Sequence, residues 1–277
     1  MLQDTTVLTK LMILFLLLVI GTTFSKKESF TQYIFKDGSK VYDQYYASIY
    51  DTIAYDQIKS EYEVGEILHY SVPHKTRVLD IGCGTGNQVN LIAQKGLAAV
   101  GLDKSKDMIA RANQKFPNLR FIQGDANDSI LFNYSTFTHI TCFYYTIYYL
   151  DNKSLFFQNA FNWLVPGGYL GIHLVDKHKF NNIELNPFTS LNGMKPLQYK
   201  QFSYKSSVIK YNERVHAFNE SIEQHDKKRK NEHMLYMDTQ EDIVSMAQQA
   251  GFNVIKILHM IEINYPNHYI YVLQKPF

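Results

Sequence analysis

Residues Arg77–Asn87, reading Arg-Val-Leu-Asp-Ile-Gly-Cys-Gly-Thr-Gly-Asn, constrain the fold of this chain more than any other stretch. Arg77–Ile81 is a short apolar run with an acid near its end, the pattern of a buried strand leaving a sheet. Glycines follow at 82, 84 and 86, and then Val89, Leu91, Ile92 and Ala93 mark the apolar face of a helix. The unit is therefore strand, glycine turn, helix. Glycine there lets the chain turn through positive φ and lets a ligand press on the main chain without meeting a Cβ. A dinucleotide loop would place its third glycine three residues after the second. Asn87 holds that place, and the third glycine comes one residue early, at Gly86. No Lys-Ser/Thr pair follows, which excludes a phosphate-cradling P-loop. Asp80 beside the turn repels a pyrophosphate and suits a cationic ligand.

Val78–Gly86, together with the Val165-Pro166-Gly167-Gly168 turn ahead of an apolar strand, resembles two motifs of the class I S-adenosylmethionine-dependent methyltransferases. Their cofactor carries a sulfonium charge and an amino acid moiety rather than a diphosphate. The resemblance covers about residues 75–277. It implies a doubly wound, Rossmann-like α/β fold with a seven-stranded mixed sheet whose last strand is antiparallel. It also implies S-adenosylmethionine as cofactor, held by Gly82, Cys83, Gly84 and Gly86. Asp80 would hydrogen-bond the loop and the cofactor's amino acid end.

The remaining site residues follow strand by strand. Asp103 ends the second strand, Ala98–Leu102, about 20 residues after the glycines, where a carboxylate accepts both ribose hydroxyls. A helix cap near Ser105 is the alternative role. The resemblance lays Lys104 and Met108 along the adenine. It gives Asp125 the adenine amino group and Ala126 a ring nitrogen, whereas a plain Gly124-Asp125-Ala126-Asn127 turn is the structural alternative. Phe143, Tyr144 and Tyr145, beyond the fourth strand, face the methyl group, because ligands of open α/β sheets sit outside the strands' carboxyl ends. Tyr144, His173 and Asp176 are candidate bases. His139 stands near a place where the family often has an acid, and reads as an edge histidine.

Before the first strand, residues 41–70 carry tyrosines at helical spacing. Tyr42, Tyr46 and Tyr50 either close over the cofactor or pack on the sheet. Residues 177–238 are too long for a simple crossover and read as a substrate-side insertion. Within it, 213–223 and 232–237 form a hairpin whose basic tip is Lys227–Lys230, a solvated turn. The methyltransferase domain thus spans 41–277, preceded by a linker at 26–40 and an apolar segment within 1–25.

That apolar segment, residues 7–24, is flanked by Lys10, Lys26 and Lys27. It reads as an N-terminal hydrophobic helix, a transmembrane anchor that holds the domain on the cytosolic side by the positive-inside rule. A cleaved secretory signal has a similar shape and is the alternative. Two cysteines, Cys83 and Cys142, show neither disulfide nor metal spacing, so no metal is expected.

The expected function is methyl transfer from S-adenosylmethionine to an acceptor by in-line displacement. The enzyme's main task is then alignment and exclusion of water. The acceptor is not legible. A net charge of +2 and the lack of a basic stripe interleaved with aromatics disfavour nucleic acid. Two other readings remain open, a catalytically degenerate membrane-tethered scaffold and a nicotinamide-dependent oxidoreductase. Cofactor binding without turnover would mark the first, and NADH binding the second.

Overall fold

The computed structural model describes residues 32–72, 74–179 and 197–277. The expected anchor at 7–24 lies outside them, and no helix among the described residues is long and apolar enough to cross a membrane.

The central sheet forms from β2 (Arg77–Ile81), β3 (Ala98–Asp103), β4 (Arg120–Gln123), β5 (Phe137–Cys142), β6 (Leu164–Val175), β11 (Asn253–His259) and β12 (His268–Gln274). Its order is β11-β12-β6-β5-β2-β3-β4. Strands β2 to β6 are parallel, and β12 lies antiparallel between β6 and β11. This is the mixed seven-stranded Rossmann-like sheet with a reversed last strand. Neighbours β3 and β5 flank β2 on opposite sides, so the chain leaves β2 and β5 in opposite directions. The crevice at their carboxyl ends is where such sheets bind ligands.

Helices cover the sheet. The order is α1 (Gln44–Ala54), α2 (Gln57–Leu68), α3 (Asn87–Gln94), α4 (Lys106–Lys115), α5 (Lys153–Trp163) and α6 (Gln240–Gln249). Asp43 caps α1 by accepting from the Tyr46 amide at 3.1 Å, and Asp56 caps α2. Tyr46, Ile49 and Ile53 then recur on one buried face of α1. Asp51, from the same helix, accepts from the Thr85 hydroxyl, from Asn87 Nδ2 at 2.9 Å and from Lys115 Nζ at 2.6 Å. These bonds fasten α1 across the glycine loop.

A second sheet, ordered β1-β10-β9-β8-β7, is built from β1 (Gln32–Asp37), β7 (Leu197–Gln198), β8 (Ser203–Lys210), β9 (Val215–Gln224) and β10 (Lys227–Tyr236). Three expectations change here. Residues 32–37, read as linker, pair in parallel with β10, because that edge offers an unfilled hydrogen-bonding ladder. Lys227–Lys230 is not the hairpin tip, since Lys227 pairs with Gln224 and the turn is His225–Asp226. Nor is the run uniformly solvated: Lys227 and Lys230 are exposed, but Arg229 is 5% exposed. Its guanidinium donates to both Asp43 oxygens at 2.8 and 3.0 Å and to the Val41 carbonyl at 2.7 Å, clamping the start of α1 to this sheet. Phe218, Ile222 and Leu235 share one apolar core with Ile81, Tyr46 and Tyr145, so the sheet seats directly on the crevice.

Strand β6 also begins earlier than its expected start at Tyr169. It runs through Pro166-Gly167-Gly168, with Phe137 paired to Leu164 and a register shift before His139. The Gly167 amide reaches across to the Lys275 carbonyl at 3.0 Å, which keeps the segment extended.

Candidate functional site

A cavity of about 610 Å³ opens where the crevice meets the second sheet. Its floor is the glycine turn. Gly82 and Gly84 line it, with φ of 72° and 53°, and both present bare main chain. A Cβ on Gly82 would strike the Thr146 side chain, so only glycine fits there. Amides of Gly82 and Cys83 both donate to the Leu102 carbonyl, at 2.8 and 3.1 Å, tying the turn to the end of β3.

Asp103 stands at that end and lines the cavity. Its Oδ2 accepts from the Gly84 amide at 2.9 Å and its Oδ1 from the Ser105 amide at 2.8 Å. Each oxygen keeps a further lone pair. Burial raises its pKa, and the two amides work against that rise. The helix cap is instead Ser105, whose hydroxyl accepts from the Met108 amide. Lys104, Met108, Asp125 and Ala126 line one lobe together. Lys104 Nζ and Asp125 Oδ2 pair across its mouth at 2.7 Å, while Met108 and Ala126 are buried.

Four expected loop and strand residues stand elsewhere. Gly86, with φ of 85°, is buried, and a Cβ there would meet the Phe121 ring at 2.7 Å; it serves packing, not ligand approach. The Cys83 side chain packs with Val89 and Ile109, away from the cavity. Phe143 faces the opposite side of the sheet, among Val64, Ile67 and Val272, because residues alternate faces leaving β5. Asp80 lies 1% exposed behind the turn and makes no hydrogen bond to it. Its Oδ1 accepts from the Thr141 hydroxyl at 2.6 Å, and Oδ2 has no partner. Burial pushes its pKa up to about 7.

The candidate bases separate as well. Tyr144 lines the cavity with φ of 57°, but its hydroxyl donates to the Ala54 carbonyl. His173 is fully buried below the sheet end, bonded to the Tyr144 carbonyl and to His268 Nδ1 at 2.9 Å. Burial holds its pKa well below that of an ordinary imidazole. Asp176 pairs with Lys179 at 3.1 Å and accepts from the His178 amide at 3.0 Å, outside the cavity lining. His139 is not on an edge; it sits in the interior strand β5, stacked on Tyr169.

Tyr42, Tyr46 and Tyr50 all reach the cavity. Tyr50 lies 3.5 Å from where a Gly84 Cβ would be, directly over the turn. The Tyr50 and Tyr46 rings are 5.9 Å apart, Tyr46 and His233 6.0 Å, and His233 and Tyr149 5.9 Å. One file of rings thus runs from the glycines to the second sheet. At its far end lies a group that sequence reasoning missed. Glu220 Oε1 accepts from Tyr46 and Tyr204, each at 2.7 Å, and Oε2 from Asn231 at 2.8 Å and His233 Nε2 at 2.7 Å. Burial alone would raise this carboxyl; His233, Asn231 and Tyr204 outweigh it and hold the pKa below the ordinary value. The signal was present as period-two alternation, with Glu220, Arg229, Asn231 and His233 at inward positions among apolar ones.

These residues fit S-adenosylmethionine. The bare backbone at Gly82 and Gly84, the free lone pairs of Asp103 and the apolar Met108–Ala126 lobe suit its amino acid, ribose and adenine parts. Asp80, behind the turn with one unpaired oxygen, gains or loses its charge near neutral pH, and a cationic ligand would favour the charged form.

Comparison with known proteins agrees. A methyltransferase-domain family profile matches residues 78–168. The YqeM protein of Bacillus subtilis (strain 168) is 32% identical over 145 residues, 49% of this chain and 55% of its own. The trans-aconitate 2-methyltransferase of Acidovorax sp. (strain JS42) is 26% identical over 140 residues, covering 46% of this chain and 50% of that enzyme. This chain therefore spans about half the length of the curated relatives it matches. Among solved structures, S-adenosylmethionine-bound CalS10, an amino pentose methyltransferase from Micromonospora echinaspora, superposes with a TM-score of 0.65. The identity is 19%, over 84% of this chain and 97% of that one.

Proposed function

We propose that this chain, which belongs to the class I S-adenosylmethionine-dependent methyltransferases, methylates a small amine held between the glycine turn and the second sheet. The observation that carries this reading is the charge and surface of the cavity. Its carboxylates are Asp103, Asp125 and Asp151, the last paired with Arg214 at 2.7 Å, and Lys104 is the one ammonium among the described lining residues. Lys104 is already paired with Asp125, and His233 Nε2 is taken up by Glu220 at 2.7 Å. A polycarboxylate such as trans-aconitate would meet acids with no free cation to receive it. Tyrosine faces, with no unpaired cation among the described lining residues, instead favour a cationic or neutral amine.

Gly82 and Gly84 would admit the cofactor's amino acid end, Asp103 would accept the ribose hydroxyls, and Met108 and Ala126 would lie along the adenine. The bound cofactor supplies a methyl carbon already activated by its sulfonium for in-line displacement. The chain's own contribution is to fix the amine nitrogen on that line and to exclude water with Tyr46, Tyr50 and Tyr144. The apolar run at 7–24 would tether the domain to a membrane, with the domain in the cytosol. Fractionation of the expressed chain tests this, and recovery of a chain shortened at its N terminus favours a cleaved signal.

Calorimetric titration with S-adenosylhomocysteine tests the cofactor site. Asp103→Ala should weaken binding by about 1–3 kcal/mol, the scale of hydrogen bonds to a charged group. S-adenosylhomocysteine formation from S-adenosylmethionine, measured with amino sugars and with trans-aconitate side by side, tests the acceptor class. Turnover with trans-aconitate alone would overturn the amine reading.

A further inference from the structure

We infer that Tyr149, His233 and Glu220 form a relay that takes the proton from the methyl acceptor; the inference rests on the amine-methyltransferase reading above. Tyr149 and His233 both line the cavity, and Glu220 lies behind them at 2% exposure. The Tyr149 hydroxyl is 3.1 Å from His233 Nδ1, and His233 Nε2 is 2.7 Å from Glu220 Oε2. A carboxylate can only accept, so Nε2 carries hydrogen toward Glu220. In the neutral imidazole, Nδ1 then offers its lone pair, and the Tyr149 hydroxyl donates to it. The order phenol, imidazole, carboxylate is thereby fixed, with phenol and imidazole both lining the cavity and the Tyr42 hydroxyl bonded to that of Tyr149.

The surroundings are arranged for this direction of transfer. Glu220 is held by four donors: Tyr46 from α1, Tyr204 from β8, and Asn231 and His233 from β10. It cannot swing away or take the proton into solvent. Tyr42 packs edge-on against both His233 and Tyr149, with centroids at 5.5 and 6.0 Å. Arg229 lies over the Tyr46 ring, 5.6 Å from its centroid, and is paired with Asp43 at 2.8 Å. Glu220 Oε2 is the carboxylate oxygen that faces His233, 2.7 Å from Nε2.

The step balances as follows. A protonated amine gives a proton to the Tyr149 oxygen as the Tyr149 hydroxyl proton passes to His233 Nδ1, leaving an imidazolium on Glu220. The freed nitrogen lone pair forms the N–C bond while the C–S bond breaks and its electron pair returns to sulfur. The imidazolium later releases its proton to water. A purely architectural Glu220 hub would need its hydrogen bonds but no proton uptake at His233, and the two roles separate experimentally.

The test uses the full chain with His233→Gln, which can still donate to Glu220 but cannot hold the extra proton, and with Tyr149→Phe. The wild type should form S-adenosylhomocysteine with a small primary amine such as an amino sugar. His233→Gln should lower kcat by about 100- to 10,000-fold, the range for a positioned general base. Its S-adenosylhomocysteine affinity should change less than about threefold, because neither residue touches the glycine turn. The wild-type decline of kcat toward acid should vanish in His233→Gln, and Tyr149→Phe should lose part of the rate at unchanged cofactor affinity. Wild-type turnover by His233→Gln with intact cofactor binding overturns the relay and leaves the amine-methyltransferase reading standing. Lost S-adenosylhomocysteine binding in the wild type defeats that earlier reading instead. A readout without acceptor is 15N-histidine NMR of the folded wild type. Reversible protonation of His233 from the Nε2–H form supports the relay, and a ring locked in one state across the folded range overturns it.

Discussion

Two buried carboxylates, one in each sheet, solve the same physical problem in opposite ways. Asp80 in the central sheet has one donor, Thr141, and one unpartnered oxygen. Glu220 in the second sheet has four donors and no oxygen unpaired. Desolvation acts on both. It wins at Asp80, whose pKa climbs to about 7, and it loses at Glu220, which stays below its ordinary value. The lesson is that burial alone does not set a carboxyl's state; the charges and donors around it do, His233 foremost at Glu220. An under-satisfied acid behind the glycine turn keeps negative potential in reserve for a cationic cofactor. A saturated acid in the insertion is a fixed ion that can steady an imidazolium.

Removing the saturated acid should have the largest effect. Glu220→Ala leaves Tyr46, Tyr204, Asn231 and His233 with buried donors and no acceptor. A loss of about 3–5 kcal/mol is expected, since each buried donor left without an acceptor costs about 1–3 kcal/mol. Urea unfolding measures it, and a loss below about 1 kcal/mol would mean that the hub relaxes and the comparison with Asp80 fails.

The two acids should also respond to pH with opposite sign. Asp80 has a raised pKa, so its folded form binds the proton more tightly than the unfolded chain does. Its contribution is fully present below the ordinary aspartate range and is lost as pH rises toward about 7. Glu220 has a lowered pKa, so its contribution is present above the ordinary glutamate range and is lost on acidification. Asp80→Asn should therefore abolish the stability loss between about pH 4 and pH 7, on the order of 3 kcal/mol. Urea midpoints across that range check this, and an unchanged slope in Asp80→Asn would show that Asp80 is ionised throughout.

The same contrast governs what was legible in the sequence. The glycine turn, Asp103 and the Pro-Gly-Gly strand are contiguous motifs, so their places and the sheet around them could be read directly. Even there, contiguity misled at Cys83, Gly86 and Phe143, since a motif names a stretch of backbone and not the face each side chain takes. Gly86 sits under Phe121 rather than a ligand. Gly86→Ala should cost at least the left-handed penalty of about 1–2 kcal/mol in stability. It should leave the S-adenosylhomocysteine affinity of the folded fraction nearly intact, and a large affinity loss in folded protein would return Gly86 to the ligand side. The second sheet was opaque for a different reason. Tyr46, Tyr149, Glu220 and His233 lie far apart in the chain and meet only through strand register and the seating of α1. Reading Lys227–Lys230 as a solvated tip followed composition, whereas alternation along β10 buries Arg229 and faces Lys230 outward.

The smallest effect sharpens the comparison most. Thr141 is the one donor Asp80 has, and its hydroxyl lowers a pKa that burial raises. Thr141→Val keeps the shape and removes the bond. Below neutral pH, where Asp80 is protonated, the loss is that of one neutral hydrogen bond, about 1 kcal/mol. Above neutral pH the missing bond is one to a carboxylate, worth about 1.5–3 kcal/mol, so the variant's deficit should grow. Urea midpoints at about pH 6 and pH 8.5 read the difference. A deficit equal at both would mean that Asp80 does not change state over that interval. The contrast with Glu220 would then reduce to geometry, and the glycine turn would carry no titratable charge for its cofactor. A growing deficit would show that a single donor is what stands between Asp80 and a permanently neutral acid.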